Sequence, residues 1–141
     1  GACIQSPNFS LGVQLFSLLF QEAFSLFTNF QQYDTALIEM HHAAKQDAPS
    51  GTALLMQEIA LGCRKYLPIS SVRCGKLPGI HEVLFDSEED TITLTHTAKT
   101  RDGFAKGALM AAQWICGKTG WFSMNDMIQE LKTKHSGSIL S

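Results

Sequence analysis

The segment from Ser10 to Phe27 carries two apolar stripes at helical spacing. Leu11, Leu15, Leu18, Leu19, Ala23, Leu26 and Phe27 keep to a 3.6-residue period, and Phe16, Phe20 and Phe24 add a second stripe beside them. A helix that is apolar around most of its girth faces water poorly on any broad side, so this one is expected to be buried on two sides. The rest of the chain must supply the surface that covers it. With 45% hydrophobic and 17% charged residues in 141, the composition is that of one globular domain. Nine Phe, two Trp and two Tyr are more aromatic surface than a solvated chain carries, which excludes disorder.

Downstream, residues 35–41 read as a short strand, and Pro49-Ser50-Gly51-Thr52 opens a second helix from Ala53 to about Tyr66, with Ser50 or Thr52 as its cap. Leu67-Pro68 stops it. Residues 69–74 and 81–86 read as strands around a Gly75 to Gly79 turn, and 91–98 alternates with Ile92, Leu94, His96 and Ala98 on one face. Asp102 is expected to cap a third helix running to about Cys116. Ser123-Met124-Asn125-Asp126 resembles a capping box for a last helix ending near Lys132. Residues 135–141 read as a frayed tail. The order α-β-α-β-β-β-α-α predicts an α+β fold, a mixed or antiparallel sheet of about four strands backed by helices.

Several function classes are excluded at this level. The longest apolar run, Ala108 to Ala112, falls far short of the ~20 residues that span a bilayer, so no transmembrane helix and no membrane partner are expected. Eleven Lys and Arg against 13 Asp and Glu leave a net charge of −2, too little basicity for a nucleic-acid binder built on bulk charge. Cys3, Cys63, Cys74 and Cys116 form no C-x-x-C pair, which argues against a zinc finger and for reduced thiols in the cytoplasm. The chain opens with no charged-then-apolar signal, a second pointer to the cytoplasm. It holds neither Gly-x-Gly-x-x-Gly nor a Walker loop, so neither standard dinucleotide device is present.

Polar residues concentrate between Glu39 and Thr52, where a strand gives way to a helix, the usual place for a site in a sheet with helices on its face. His41 and His42 point to opposite faces of a strand, so one metal is not easily shared between them, whereas proton handling by one of them needs no such geometry. The residues alone leave two readings open, surface histidines or a proton-handling one. Lys45 adds a cation, and Ser50-Gly51-Thr52 adds the amides and hydroxyls of a helix start, together an anion site suited to a carboxylate or phosphate. Arg101 could reach an anion or simply sit on the surface beside Asp102. His81 and His96 read as sheet residues rather than ligands.

His41-His42-x-x-Lys45-x-Asp47-Ala48-Pro49-Ser50-Gly51-Thr52-Ala53 resembles the signature of the 4-hydroxy-tetrahydrodipicolinate (dihydrodipicolinate) reductases of lysine and diaminopimelate biosynthesis. Pro7-Asn8-Phe9-Ser10-x-Gly12-Val13 is similar to that family's hinge into its substrate domain. Thr95-His96-x-Ala98-x-x-Arg101-Asp102-x-Phe104-Ala105-x-Gly107-Ala108 is similar to the segment where the family's chain returns toward its nucleotide domain. The connection after Tyr66 is shorter than the family usually has.

The resemblance implies the substrate-binding and oligomerisation domain of a two-domain reductase whose Rossmann half is absent. Residues 1–10 would then be the hinge, 11–100 the substrate domain and 101–134 the returning helices. It implies His41 and Lys45 as catalytic proton-handling or charge-stabilising groups, and His42, Ser50, Gly51 and Thr52 as holders of a small dicarboxylate substrate. It implies Ser6, Pro7, Asn8, Phe9 and Arg101 near an NADH or NADPH cofactor bound mainly by the missing half. It also implies a homotetramer. Two readings compete with it: a non-catalytic oligomerisation module of the same fold, and a metal-dependent hydrolase using His41 and His42.

Overall fold

The computed structural model of the chain describes residues 1–136. It divides into two compact units, Leu15–Thr100, and Gly1–Gln14 together with Arg101–Ser141.

The Leu15–Thr100 unit is built on a four-stranded sheet. Its strands are β2 (Asp34–His41), β3 (Ile69–Arg73), β4 (Ile80–Asp86) and β5 (Thr91–Thr97), in the order β3-β2-β4-β5. β2 and β3 run parallel, whereas β4 is antiparallel to both β2 and β5, so the sheet is mixed. Alternation along β2 buries Thr35, Leu37 and Glu39, and along β4 it buries His81, Val83 and Phe85. Leu37, Val83 and Phe85 form one core with Phe16, Phe20 and Phe24 of helix α1 (Leu11–Phe27) and Ala53, Met56 and Ala60 of helix α2 (Gly51–Gly62).

Of the two stripes read on α1, the core covers the phenylalanine stripe together with Ala23 and Phe27 at the edge of the other. Leu15, Leu19 and Leu26 stay exposed, because within one chain the sheet covers only one side of the helix. α2 stops at Gly62, four residues before the expected end. Arg64 takes φ +60 there, with Arg64 N donating to Leu61 O and Lys65 N to Ala60 O, the paired bonds of a Schellman ending. Gln57 then holds Leu67 by its backbone N–H and C=O, and Leu37 N donates to Pro68 O, where the parallel pairing begins.

The second unit contains two strands that the sequence pattern does not reveal, β1 (Ala2–Gln5) and β6 (Gly120–Ser123), paired in parallel. Helices α3 (Asp102–Trp114) and α4 (Met124–Ser136) accompany them, and Ala111, Met124 and Met127 form the core with Ile4, Phe9, Trp114 and Leu131 against it. Gly107 is required by close approach, since a Cβ there would lie 1.7 Å from Phe9 O. Asp102 falls in the first turn of α3, not at its cap; the cap position is Arg101, whose side chain makes no capping bond. The capping box at the start of α4 is formed: Ser123 N donates to Asp126 Oδ2 at 2.7 Å, and Asp126 N donates to Ser123 Oγ at 3.2 Å. α4 runs through Ser136, past the expected end at Lys132, and the rest of the expected tail lies outside the described residues. Among the described residues no helix is long and apolar enough to cross a membrane.

Candidate functional site

Register brings the site together. Across the sheet Glu39 pairs with Ser71 of β3 on one side and His81 of β4 on the other, and His81 pairs with His96 of β5. His41 pairs with Arg73. Two residues apart on β2, Glu39 and His41 share the face that carries Leu37, so both turn toward the helices.

Glu39 is fully buried, and Arg73 Nη2 donates to its Oε1 at 2.9 Å. Burial pushes the Glu39 carboxyl up, but hydrogen bonds from Arg73 and Ser71, with the charges of Arg73 and His41, outweigh it and hold it below the ordinary carboxylate value. The other oxygen, Oε2, lies 3.0 Å from His41 Nε2. The N–H direction falls off the line between them, so the contact is short without being a well-aligned hydrogen bond, and both atoms are buried with no other partner. Burial lowers the His41 pKa; Glu39 opposes this, and Lys45 and Arg73 reinforce it. At neutral pH the pair is therefore a carboxylate beside a neutral imidazole, not an ion pair.

His81, 4% exposed, is driven down to about 4, first by burial and then by the charge of His41. Its Nε2 lies 2.9 Å from Ser50 Oγ, and its Nδ1 is buried without a partner. Ser50 caps α2, accepting from Ala53 N at 3.3 Å, and its carbonyl accepts from Leu54 N. The serine hydroxyl is thereby engaged on both sides, which leaves the backbone amides of Gly51 and Thr52 as the donors at this helix end. Arg73 also ties down the loop between β2 and α2, donating to Lys45 O at 3.2 Å and Asp47 O at 2.6 Å, while Lys45 Nζ pairs with Asp47 Oδ1 at 2.8 Å. His42 lies just past the end of β2, half-buried.

His41, His42, Lys45, Ser50, Gly51 and Thr52 thus lie in the Leu15–Thr100 unit; Ser6, Pro7, Asn8, Phe9 and Arg101 lie in the other. There Asn8 Oδ1 accepts from Ser10 N, Ser6 Oγ donates to Asn8 O, and Gln14 Nε2 donates to both Ser6 Oγ and Asn8 O, a loop pinned by its own polar groups. Sequence reasoning opened the polar cluster at Glu39 without giving it a role, read His81 as a sheet residue, and missed Arg73. An acid at an inward-facing position of an apolar strand was the available signal for Glu39. Glu39, His41 and His81, not His42, each offer one ligand atom within 4.8 Å of one another, a set that could hold a metal ion. The charge of Glu39 is, however, already matched by Arg73 at 2.9 Å.

Comparison with known proteins gives a consistent result. Residues 12–128 match the family described as dihydrodipicolinate reductase, C-terminus. The chain is 38% identical over 92% of its length to a 4-hydroxy-tetrahydrodipicolinate reductase of Christiangramia forsetii, covering 60% of that protein. It is 39% identical over 90% of its length to one from Methanosarcina barkeri, covering 54% of it. The chain therefore spans little more than half the length of these relatives. A solved structure described as dipicolinate-bound dihydrodipicolinate reductase from Paenisporosarcina sp. TG-14 superposes with a TM-score of 0.73 at 28% identity, over 86% of this chain and 52% of that one.

Proposed function

The chain belongs to the dihydrodipicolinate reductase family, and from that premise we propose that it is the substrate-binding and catalytic domain of an NAD(P)H-dependent enzyme that reduces 4-hydroxy-tetrahydrodipicolinate to tetrahydrodipicolinate. The observation that carries this reading is the placement of His41 at the end of β2, its ring against a buried carboxylate and within the field of Lys45. Lys45 and the Gly51 and Thr52 amides at the start of α2 form the cationic end of the site, suited to the carboxylates of a small planar diacid. His42 lies next to Lys45, its carbonyl accepting from Lys45 N. The role read for Ser50 becomes indirect: its hydroxyl shapes the helix end and meets His81 instead of the anion.

The chain contains no glycine-rich phosphate cradle, so among its residues Ser6 to Phe9 and Arg101 would meet only the nicotinamide end of the cofactor. When bound, the reduced nicotinamide supplies a hydride. His41 supplies the proton to the adjacent substrate carbon, Lys45 stabilises the charge that develops, and the helix-end amides hold the substrate in place. By this reading the chain alone has no reductase activity. The reading also places it in a cytoplasmic homotetramer; the exposed Leu15, Leu19 and Leu26 on α1 support self-association. The non-catalytic module is disfavoured because an assembly domain has no use for the buried Glu39–Arg73–His41 arrangement.

The test is calorimetric titration of this chain with pyridine-2,6-dicarboxylate. Weak binding is expected, and Lys45→Met should reduce affinity by at least about tenfold, the loss of one charge-assisted contact of ~1.5–3 kcal/mol. Equal affinity of parent and variant would remove the anion site from this place.

A further inference from the structure

We propose that Glu39 is the positioning residue of His41: it holds the neutral imidazole with its proton on Nε2, so that His41 meets its substrate only through Nδ1, on the edge that faces Gly79. The inference rests on the reading of His41 as the proton donor and specifies which nitrogen acts and what selects it.

Three observations support it. First, His41 Nε2 is fully enclosed and 3.0 Å from Glu39 Oε2, and neither atom has any other partner. Even off the hydrogen-bond line, an N–H dipole is favoured beside a buried carboxylate oxygen, whereas the opposite tautomer would set a nitrogen lone pair against that oxygen with nothing to relieve it. Second, the carboxylate cannot turn away. Arg73, a donor only, holds Oε1 at 2.9 Å and is itself fixed by Lys45 O and Asp47 O. Third, the opposite edge of the ring faces Gly79, which puts no side chain over it. A Cβ at Gly79 would lie 3.3 Å from both Nδ1 and Cε1, and Gly79 has φ +112, where side chains are rarely accommodated. The His41 side chain keeps 14% exposure while Nε2 is enclosed, and Nδ1 is not among the buried atoms without a partner.

The neutral ring carries no proton on Nδ1, so solvent first protonates it; in the proton step the Nδ1–H bond of the resulting imidazolium breaks with its electron pair remaining on nitrogen. The proton bonds to the substrate carbon through the pair left there by hydride addition from the reduced nicotinamide. Nε2 keeps its proton toward Glu39 throughout, and solvent reprotonates Nδ1. A carboxylate that fixes the tautomer and favours the imidazolium is worth large factors in rate where it has been removed from other histidine bases. The charged and titratable groups around His41 are Glu39 on its own strand, Arg73 on β3, His81 on β4, and Lys45 and Asp47 on the following loop.

Long-range 1H–15N correlation spectra of this chain at neutral pH read the tautomer directly, because the unprotonated ring nitrogen resonates far downfield of the protonated one. The expected result is a proton on Nε2 of His41 in the parent. In Glu39→Gln, Arg73 still demands an acceptor and takes the amide oxygen, which turns the amide NH2 toward Nε2 and should invert the tautomer to Nδ1–H. Glu39→Asp keeps the carboxylate and should retain the parent tautomer. A parent proton on Nδ1 overturns the proposal, and so does a folded Glu39→Gln that keeps it on Nε2. The parent spectrum decides the matter even if the glutamine variant fails to fold. In the complete reductase, Glu39→Gln should lower kcat by about a hundredfold or more with little change in KM. An unaltered kcat in His41→Gln reductase would remove the proton-donor reading itself, a result independent of the tautomer spectra.

Discussion

The Leu15–Thr100 unit carries a four-stranded sheet with α1 and α2 on one face and Phe20, Phe24, Leu37, Met56 and Phe85 fully excluded from water. The Gly1–Gln14 and Arg101–Ser141 unit has a two-stranded parallel sheet and a core centred on Ala111, Met124 and Met127. Parallel strands are normally buried on both faces within larger sheets, so the smaller unit is the less self-sufficient of the two. The buried acid, guanidinium and imidazoles lie in the larger one. A charged cluster can be kept dry and in register only where surrounding apolar packing holds it rigidly.

The sharpest way to break this comparison is to cut the larger core. Phe20→Ala should cost about 3–5 kcal/mol of stability in denaturant titration, whereas Phe9→Ala, at a half-buried position of the smaller unit, should cost less. Equal losses would mean that the two cores are packed alike.

Acid should separate the units next. His81 is held neutral, its pKa lowered from 6.5 to about 4 by burial, so the unfolded chain takes up its proton first. The resulting stability is full above pH 6.5 and is lost as the pH falls toward 4, about 3 kcal/mol in all; the lowered His41 and His96 act in the same direction. In the smaller unit Glu130, held down to about 2 by Lys118 and Lys134, contributes above its ordinary 4.5 and loses its contribution only below that value. Hydrogen exchange between pH 6.5 and 4.5 should therefore release β2 and β4 amides before those of α4. The reverse order would break the assignment of the buried imidazoles as the acid-sensitive element.

The smallest contrast compares two helix caps of the same type. Ser50→Ala removes the cap of α2 and leaves His81 Nε2 without its partner, a loss of about 2–3 kcal/mol. Ser123→Ala removes an exposed capping box and should cost only about 1 kcal/mol. Thermal midpoints of the two variants measure how much the buried setting adds.

Local pattern, read from periodicity together with caps, turns and breakers, located α1, α2, α3 and the four strands of the larger sheet. It could not find β1 and β6, four residues each and too short to show alternation, which exist only because each pairs with the other. Both stripes of α1 were legible, but which one is buried depended on the sheet that folds against it, and the phenylalanines face Leu37, Val83 and Phe85. Likewise the cluster from Glu39 to Thr52 could be read as a site because its polar residues are adjacent in the chain. Arg73 and His81 could not, since they arrive from β3 and β4 through a parallel and an antiparallel register that no local pattern encodes. Local spacing determined which residues could form helices, strands and caps; tertiary packing decided which nitrogen of His41 is enclosed, because only the assembled sheet sets Glu39 and Arg73 beside it.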